Sequence, residues 1–212
     1  LEKSIISKGG KINKHTPVTS IFSLNGGWEM NSTRYDTIVS TIPPQVFENI
    51  GGPTIRPIPY QGAACMTIGM NRDVTKGIYW LNMKDIAPYG AVVSHTNFIP
   101  ADRYGENIVY LASYFSGTVP ANLDSRMMND FCTRFSVSPS EINWYYMAVD
   151  PWAGPVYKTG FRSLIPAYEH KGLFMAGMFS QTNYPERSME GSIRAGSDVA
   201  EIIKIRSNDG RT

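Results

Sequence analysis

The sequence has few of the residues that form metal, disulfide and redox-thiol sites. Its 212 residues include two cysteines and three histidines. Cys65 and Cys132 stand in neither a CxxC pair nor a zinc spacing, and the histidines form no HxH or HxxxH pattern. We therefore predict that the chain binds no metal. We also predict that both thiols are reduced and buried, as is typical of a cytoplasmic protein.

Strong charge and long apolar runs are also missing. Charged residues make up 18% of the chain, the net charge is +2, and Lys and Arg are scattered along it. This pattern predicts no nucleic-acid partner. No apolar run approaches the roughly 20 residues that span a bilayer, and no signal-peptide pattern is present. We expect a soluble protein without a transmembrane segment, and the sequence leaves its oligomeric state open.

The first 50 residues show a helix-end signal, a turn signal and a proline stop. Gly9-Gly10 favours the end of a helix, and Asn25-Gly26-Gly27 favours a hairpin turn. Pro43-Pro44 stops a strand, because proline cannot continue a hydrogen-bonded ladder. The loop over residues 40–44 is then expected at the carboxyl edge of a sheet, where open α/β folds bind ligands. The predicted elements are a helix over 1–8, hairpin strands over 19–24 and 28–33, and a brief buried strand within 35–44.

A Pro/Gly-rich stretch at residues 51–59 is predicted to begin a second lobe. Beyond it, Leu123, Met127 and Phe131 recur every four residues, which predicts a helix over 124–135 packed on a sheet. The predicted strands of that sheet are 60–70, 78–83, 91–98, 107–115 and 142–149. We predict an α+β (mixed α/β) fold in which an antiparallel-sheet lobe interrupts a second lobe. The predicted divisions of the chain are 1–50, 51–165, 166–205 and a tail over 206–212.

The stretch from Gly172 to Ile203 is predicted to be a buried strand, a loop and a helix. The strand is a continuous apolar run, and Ser188 suits the N-cap of the helix. We expect the apolar face of the helix to carry Ile193, Gly196, Ala200 and Ile203. Small residues in its first turns either leave a bare N-terminus for an electron-rich ligand or let the helix pack closely on the sheet.

Substrate-binding candidates lie in an aromatic stretch after residue 143. We expect Trp152 and Tyr157 to line a pocket for a flat or sugar-like substrate, because prolines and a glycine nearby predict a loop there. Ordinary sheet packing is the alternative for these rings. Arg162 either meets a substrate anion or is a solvated surface charge.

Four blocks of sequence, residues 9–21, 35–44, 172–177 and 189–196, occur in the order and spacing of one known superfamily. The chain resembles the C-terminal part of flavin-containing amine oxidases, protoporphyrinogen oxidases and carotenoid desaturases and, more remotely, UDP-galactopyranose mutases. This resemblance implies FAD in one lobe, with the antiparallel sheet of the other lobe above the flavin. The implied cofactor-binding residues are Val18, Thr41, Ile42, Pro43, Gly177, Met178, Ser188, Met189, Glu190 and Gly191.

The sequence departs from the superfamily pattern at several positions. Met178 stands where an acidic residue is usual, and Ser188 stands where monoamine oxidases have an aromatic residue that cages the amine. No cysteine lies between residues 180 and 188, so we expect FAD to be non-covalent. The Gly-x-Gly-x-x-Gly fingerprint is missing and the chain does not begin with Met. We expect that it lacks the first half of a longer protein and, alone, binds FAD weakly or not at all.

The function predicted for the longer protein is hydride transfer from a small organic or sugar-like substrate to FAD. The sequence assigns no catalytic residue, and it leaves open whether this chain is an enzyme by itself. One alternative is a UDP-galactopyranose mutase-like flavoenzyme without net redox. Another is a stand-alone module that binds a ligand or a partner and no flavin.

Overall fold

Two units make up the chain in a computed structural model that describes residues 1–209. Leu1–Ile58 and the chain from Thr159 onwards form the first unit, and Pro59–Lys158 form the second. The fold is mixed α+β with antiparallel sheets, as the sequence predicted, and the described residues contain four α-helices. None of the described helices is both long and apolar enough to cross a membrane.

The helices and strands are joined by connections that range from tight turns to long loops. In chain order they are α1 (Glu2–Ser7), β1 (Ile21–Leu24), β2 (Gly27–Met30), β3 (Thr33–Tyr35), β4 (Ile38–Ser40), α2 (Pro44–Glu48), β5 (Tyr60–Met70), β6 (Trp80–Asn82), β7 (Ala91–Ser94), β8 (Asn107–Phe115), α3 (Leu123–Arg134), β9 (Ile142–Pro155), β10 (Glu169–His170), β11 (Leu173–Met175) and α4 (Met189–Asp209).

The predicted hairpin is confirmed, and its turn lies at Asn25-Gly26. β1 pairs antiparallel with β2, from Ile21 opposite Met30 to Leu24 opposite Gly27. Gly26 has a φ of 77°, which glycine adopts without the steric cost that a side chain would add. β3 then pairs antiparallel with β2, so the three strands form a small meander.

A parallel strand pair lies at the centre of the first unit. β4 runs parallel to β11, with Ile38 opposite Leu173 and Ser40 opposite Met175. The three residues of β11 are all buried, as the apolar run predicted. Because parallel strands end at the same edge of a sheet, the loops after β4 and β11 lie side by side. The predicted loop after β4 is shorter than expected, since Pro44 starts α2, a position where proline's missing N–H costs nothing.

Helix α4 packs through a different face from the one predicted. Ala195 and Val199 are buried and form a cluster with Phe174 and Ala176. Ile193 is 67% exposed, and Gly196 and Ala200 are exposed as well, so the predicted apolar face is wrong except at Ile203, which is partly buried against this cluster. Two stripes of small and apolar residues run along this helix at helical spacing, and periodicity alone cannot select between them. Residues 206–209 of the predicted tail are the last turn of α4, and residues 210–212 lie outside the described part.

The second unit is a five-stranded antiparallel sheet covered on one face by α3. The strand order is β6-β7-β8-β5-β9, so β5 lies inside the sheet between β8 and β9, and β9 is an edge strand. The predicted helix is confirmed to within one residue at each end, and Met127 and Phe131 are fully buried. They pack on residues of β5 and β8, among them Met66, Ile68 and Leu111.

Strand β9 is longer than predicted and contains Trp152, which the sequence placed in a loop. Pro151 does not end it, because proline is tolerated on an edge strand whose N–H side has no partner. The register between β5 and β9 also shifts between Gln61 and Ala63, close to this proline. The expectation of a loop at Trp152 is therefore wrong.

Phe131→Ala tests the core of the second unit. The phenyl ring is fully buried and touches the ring of Phe135 at a centroid distance of 5.2 Å. We expect urea denaturation to show a loss of about 3–5 kcal/mol, from lost burial and the cavity left behind. Phe98→Ala is the control, because Phe98 is 69% exposed and its truncation should change stability by less than about 0.5 kcal/mol. Equal losses would contradict this core assignment.

A second stability test concerns the carboxylate of Asp130. It accepts hydrogen bonds from the buried Tyr89 hydroxyl at 2.6 Å and from the Arg134 Nε at 3.0 Å. Arg134, and then Tyr89, hold the pKa of Asp130 below its ordinary value of 3.8. A lowered carboxyl pKa adds stability that is present above the ordinary pKa and is lost as the pH falls through the lowered value.

Tyr89→Phe should therefore destabilise the chain by about 1–2 kcal/mol at pH 7, because a hydrogen bond to a charged group is lost. The difference should shrink as the pH falls below 3.8, the ordinary pKa of the carboxyl. Denaturant titrations from pH 7 to pH 3 measure it, with the exposed Tyr114→Phe as control. A difference that stays constant with pH would count against the ionised carboxylate as the partner.

Candidate functional site

The loops after β4 and β11 touch each other. Ala176 donates its N–H to the Ser40 carbonyl at 2.9 Å, which continues the strand pairing by one residue. A Cβ on Gly177 would lie 3.3 Å from the Thr41 carbonyl oxygen and 2.9 Å from the Phe179 ring. Gly177 therefore allows the two chain segments to approach, and the predicted residues Thr41 and Gly177 lie side by side.

Asn183 connects this loop pair to the start of α4. Its side chain is fully buried, and its Nδ2 donates to the Gly177 carbonyl and to the Ser192 Oγ, both at 3.1 Å. Its Oδ1 accepts the N–H of Ser188 at 3.0 Å. Gly177 also donates its N–H to the buried Ser180 Oγ at 3.0 Å. These hydrogen bonds hold the end of β11 and the first turn of α4 in one arrangement.

The first turn of α4 has the predicted cap. Ser188 Oγ accepts the N–H of Gly191 at 2.9 Å, which is N-cap geometry. The N–H groups of Met189 and Glu190 belong to the first turn, which has no intrahelical acceptors. The side chains of both residues are exposed. The helix therefore begins with backbone donors and the positive end of its dipole at the protein surface.

Gly191 packs closely against the rest of the chain. A Cβ there would lie 2.6 Å from Asn183 Oδ1 and 2.7 Å from the Thr182 carbonyl oxygen. Thr182 Oγ1 in turn donates to the Gly191 carbonyl at 2.7 Å. The sequence left two explanations open for the small residues here. For Gly191, contacts within the chain alone require the absence of a side chain.

A cavity of about 330 Å³ lies beside β4 and brings together three of the predicted cofactor residues, Val18, Thr41 and Ile42. Ser40 also lines it. This side chain is 6% exposed, and its Oγ has no hydrogen-bond partner within the described residues. A buried hydroxyl without a partner costs about 1–3 kcal/mol, so it is a candidate group for a ligand contact. The other lining residues are mainly apolar, namely Ile21, Met30, Ile38, Val39, Phe47 and Ile50.

The other predicted residues are divided between the two units. Pro43 directly precedes α2, and the side chain of Met178, which follows Gly177, is 38% exposed. Trp152 packs edge-to-face on Tyr60 in the second unit, with centroids 5.4 Å apart. Burial, and then Tyr157 nearby, raise the pKa of Tyr60. Arg162 lies in a short helical turn, Phe161–Leu164, of the first unit and is exposed.

Sequence reasoning included Ser40 only as part of the loop over residues 40–44 that was expected to bind a ligand, and it did not find Asn183. Ser40 ends an ordinary buried strand, and Asn183 lies in a polar loop where asparagine is common. Only the orphaned hydroxyl and the hydrogen bonds across the loop distinguish them, and neither leaves a signal in the sequence.

Comparison with known proteins gives a fold class. No family model and no curated protein matches the chain. Solved structures of flavoenzyme type do match, but at identities that show a shared fold and nothing further. The resemblance to protoporphyrinogen oxidases and UDP-galactopyranose mutases is confirmed at the level of the fold.

Three of these structures illustrate the match. A reduced UDP-galactopyranose mutase superposes with a TM-score of 0.71 at 13% identity, covering 96% of this chain and 49% of its own. An oxidoreductase from Methanosarcina mazei gives 0.63 at 16% identity, with 96% and 52% covered. A proposed protoporphyrinogen oxidase from Exiguobacterium sp. 255-15 gives 0.63 at 12% identity, with 88% and 46% covered. The chain thus spans about half the length of these structures.

Asn183→Ala tests the link between the strand end and α4. The change removes the hydrogen bonds to Gly177, Ser188 and Ser192 and leaves buried backbone groups unpaired. We expect a loss of about 2–4 kcal/mol in the free energy of unfolding. Asn129→Ala, an exposed position within α3, is the control and should be nearly neutral. Similar stabilities for the two variants would show that Asn183 does not hold this arrangement.

Proposed function

We propose that the chain is part of an FAD-dependent oxidoreductase, with cofactor-binding residues in its first unit and substrate-binding residues in its second. The observation that carries the proposal is the junction of Thr41, Gly177 and the start of α4, held by Asn183 beside a cavity with an unpaired hydroxyl. The fold shared with flavoenzymes supports it. FAD, when bound, supplies a flavin ring that accepts a hydride.

The cavity beside β4 fits a flat, mostly apolar group such as the adenine of FAD. Its walls are apolar and its volume is about 330 Å³. The Ser40 hydroxyl is the buried donor that such a ring can pair with through a ring nitrogen. Val18, which the resemblance places at the adenine, lines the same cavity. Thr41, Ile42 and Pro43 would then border the dinucleotide where the strand ends.

The start of α4 fits the electron-rich edge of a flavin. The first-turn N–H groups of Met189 and Glu190 and the helix dipole favour negative charge, and reduced flavin carries negative charge at that edge. The Ser188 Oγ accepts the N–H of Gly191, which still leaves its O–H able to donate to a ligand at this edge. Met178 gives no acidic partner for a ribose or ribityl hydroxyl. The contacts of this chain to FAD would therefore be made mostly by backbone groups, without a covalent bond.

The lobe division predicted from the sequence is kept within this proposal: residues 1–50 and 166–205 would contribute to the FAD-binding lobe, and residues 51–165 would form the lobe that binds an organic or sugar-like substrate. The two compact units divide the chain after Ile58 and after Lys158 instead, so Arg162 belongs to the first unit. Trp152 and Tyr157 remain candidates for substrate contacts, since both lie next to the half-buried Tyr60. Arg162 remains a candidate partner for a substrate anion.

Flavin binding is tested on the product of the complete native reading frame. We expect the purified protein to show the flavin absorption band and to release the flavin on denaturation, because the attachment is non-covalent. Ser40→Leu should fill the cavity and lower flavin occupancy. Ser113→Ala, a buried serine in the second unit, should leave the occupancy unchanged. The assignment of FAD to this cavity would be contradicted by a protein without the flavin absorption band. Full flavin occupancy in the Ser40→Leu variant would contradict it as well.

A mutase without net redox is the second candidate, because the match to reduced UDP-galactopyranose mutase has a TM-score of 0.71. Turnover of UDP-galactopyranose under reducing conditions, with no electron acceptor consumed, would select it. Oxidation of a substrate with stoichiometric use of an acceptor would select the oxidoreductase.

A further inference from the structure

The two faces of β5, an interior strand of the five-stranded sheet, carry very different side chains. Toward α3 it presents Met66, Ile68 and Met70, which are fully buried in the core. The opposite face carries four small residues in succession, Ala63, Cys65, Thr67 and Gly69. A face that packs against protein usually has large apolar side chains along its centre, as the α3 side does. The far face instead has a trough that follows β5.

Tyrosine rings form the two walls of the trough. Thr67 lies opposite Tyr110 of β8 on one side and opposite Tyr146 of β9 on the other, so the three residues share one row and one face. Two strand spacings separate the tyrosines by about 10 Å. One flat ring between them, at about 3.5–4.0 Å from each wall, fits that width. In the next row, Cys65 is flanked by Ala112 and Ala148, which leaves space beside the rings.

Trp144 closes one end of the trough. It lies opposite Gly69, and a Cβ on Gly69 would come within 2.4 Å of the indole ring. The indole Nε1 donates to Glu106 Oε1 at 2.8 Å, which fixes the ring over the glycine. At the other end, Ala63 lies between Tyr114 and Asp150, both exposed, so this end is open. The trough thus has a floor, two walls and one entrance.

The polar groups of the trough are hydroxyls and two carboxylates, Asp150 at the open end and Glu106 at the end closed by Trp144. The five strands of this sheet contain no Lys or Arg, and Asp150 is their one charged residue. Burial raises the pKa of Tyr110, so its hydroxyl stays protonated and can donate. Aromatic faces stack on the apolar face of a sugar ring, and tyrosine hydroxyls, Thr67 and a carboxylate pair with sugar hydroxyls. A free anion finds no cation on these strands.

We propose that the trough between Tyr110 and Tyr146 is the substrate-binding site of the second unit and that it binds the pyranose ring of a sugar. This inference rests on the proposed function in one respect, namely that the second unit binds substrate. It assigns substrate contact to Tyr110, Tyr146, Thr67 and Asp150, of which the sequence singled out only Tyr146, as a member of the aromatic stretch.

Saturation-transfer NMR on the 212-residue chain tests the proposal. The probes are methyl α-D-galactopyranoside, methyl α-D-glucopyranoside and, as an aromatic comparison, phenol. Ring protons of at least one glycoside should receive saturation. Tyr146→Ala should weaken the binding of that glycoside about five- to tenfold, because the substitution removes one of the two rings on which the sugar stacks. Tyr145→Ala is the matched control: the neighbouring residue faces the α3 side, and its exposure of 54% is close to the 66% of Tyr146. The affinity of the Tyr145→Ala variant for the glycoside should change by less than about twofold.

Cys65→Leu is the second variant, since it fills the floor of the trough without touching either tyrosine wall. It should abolish saturation transfer, while circular dichroism shows that the chain stays folded. Saturation of phenol but of neither glycoside would overturn the sugar assignment, as would equal losses in Tyr145→Ala and Tyr146→Ala. No transfer to any probe in the unsubstituted chain would overturn the site itself. The readout needs no flavin, so failure here and failure of flavin binding are separate results.

Discussion

The first unit depends on the hydrogen bonds of one buried amide, Asn183. They join the end of β11 to the cap and first turn of α4, and they add to the apolar contacts that Phe174 and Ala176 make with the same helix further along. The parallel pairing of β4 with β11 then places Thr41 against Gly177. Strand ends, backbone donors and the helix dipole therefore meet in one place. A site that uses backbone groups needs such fixed geometry more than it needs particular side chains.

The second unit depends in the same way on β5, because this strand pairs on both sides and serves two surfaces. Its large side chains build the core with α3, and its small ones leave the trough between Tyr110 and Tyr146. Strand alternation separates the two roles without any further element. The proposed division of function between the units follows: one contributes backbone contacts for a cofactor, and the other offers aromatic rings and hydroxyls for a substrate.

Much of the fold was predictable because its signals are local. The turn at Asn25-Gly26 and the four-residue spacing of Leu123, Met127 and Phe131 each lie within a dozen residues. The errors arose where a distant strand or helix decides the outcome. Trp152 lies in a strand because β5 pairs with that segment past Pro151. Helix α4 turns Ala195 inward and Ile193 outward because Phe174 and Ala176 lie beneath it.

The sequence by itself determined the fold class, most of the elements and the order of the blocks that resemble flavoenzymes. The tertiary structure decided which face of each element is buried, and with it the candidate sites. Tyr145 and Tyr146 are neighbours of the same type, yet only strand register assigns one to the core side and the other to the trough. Ser40 gains its importance from a buried hydroxyl without a partner among the described residues, and Asn183 from hydrogen bonds to residues five to nine positions away. Whether such polar groups are buried depends on the packing of distant segments, which local sequence patterns do not encode.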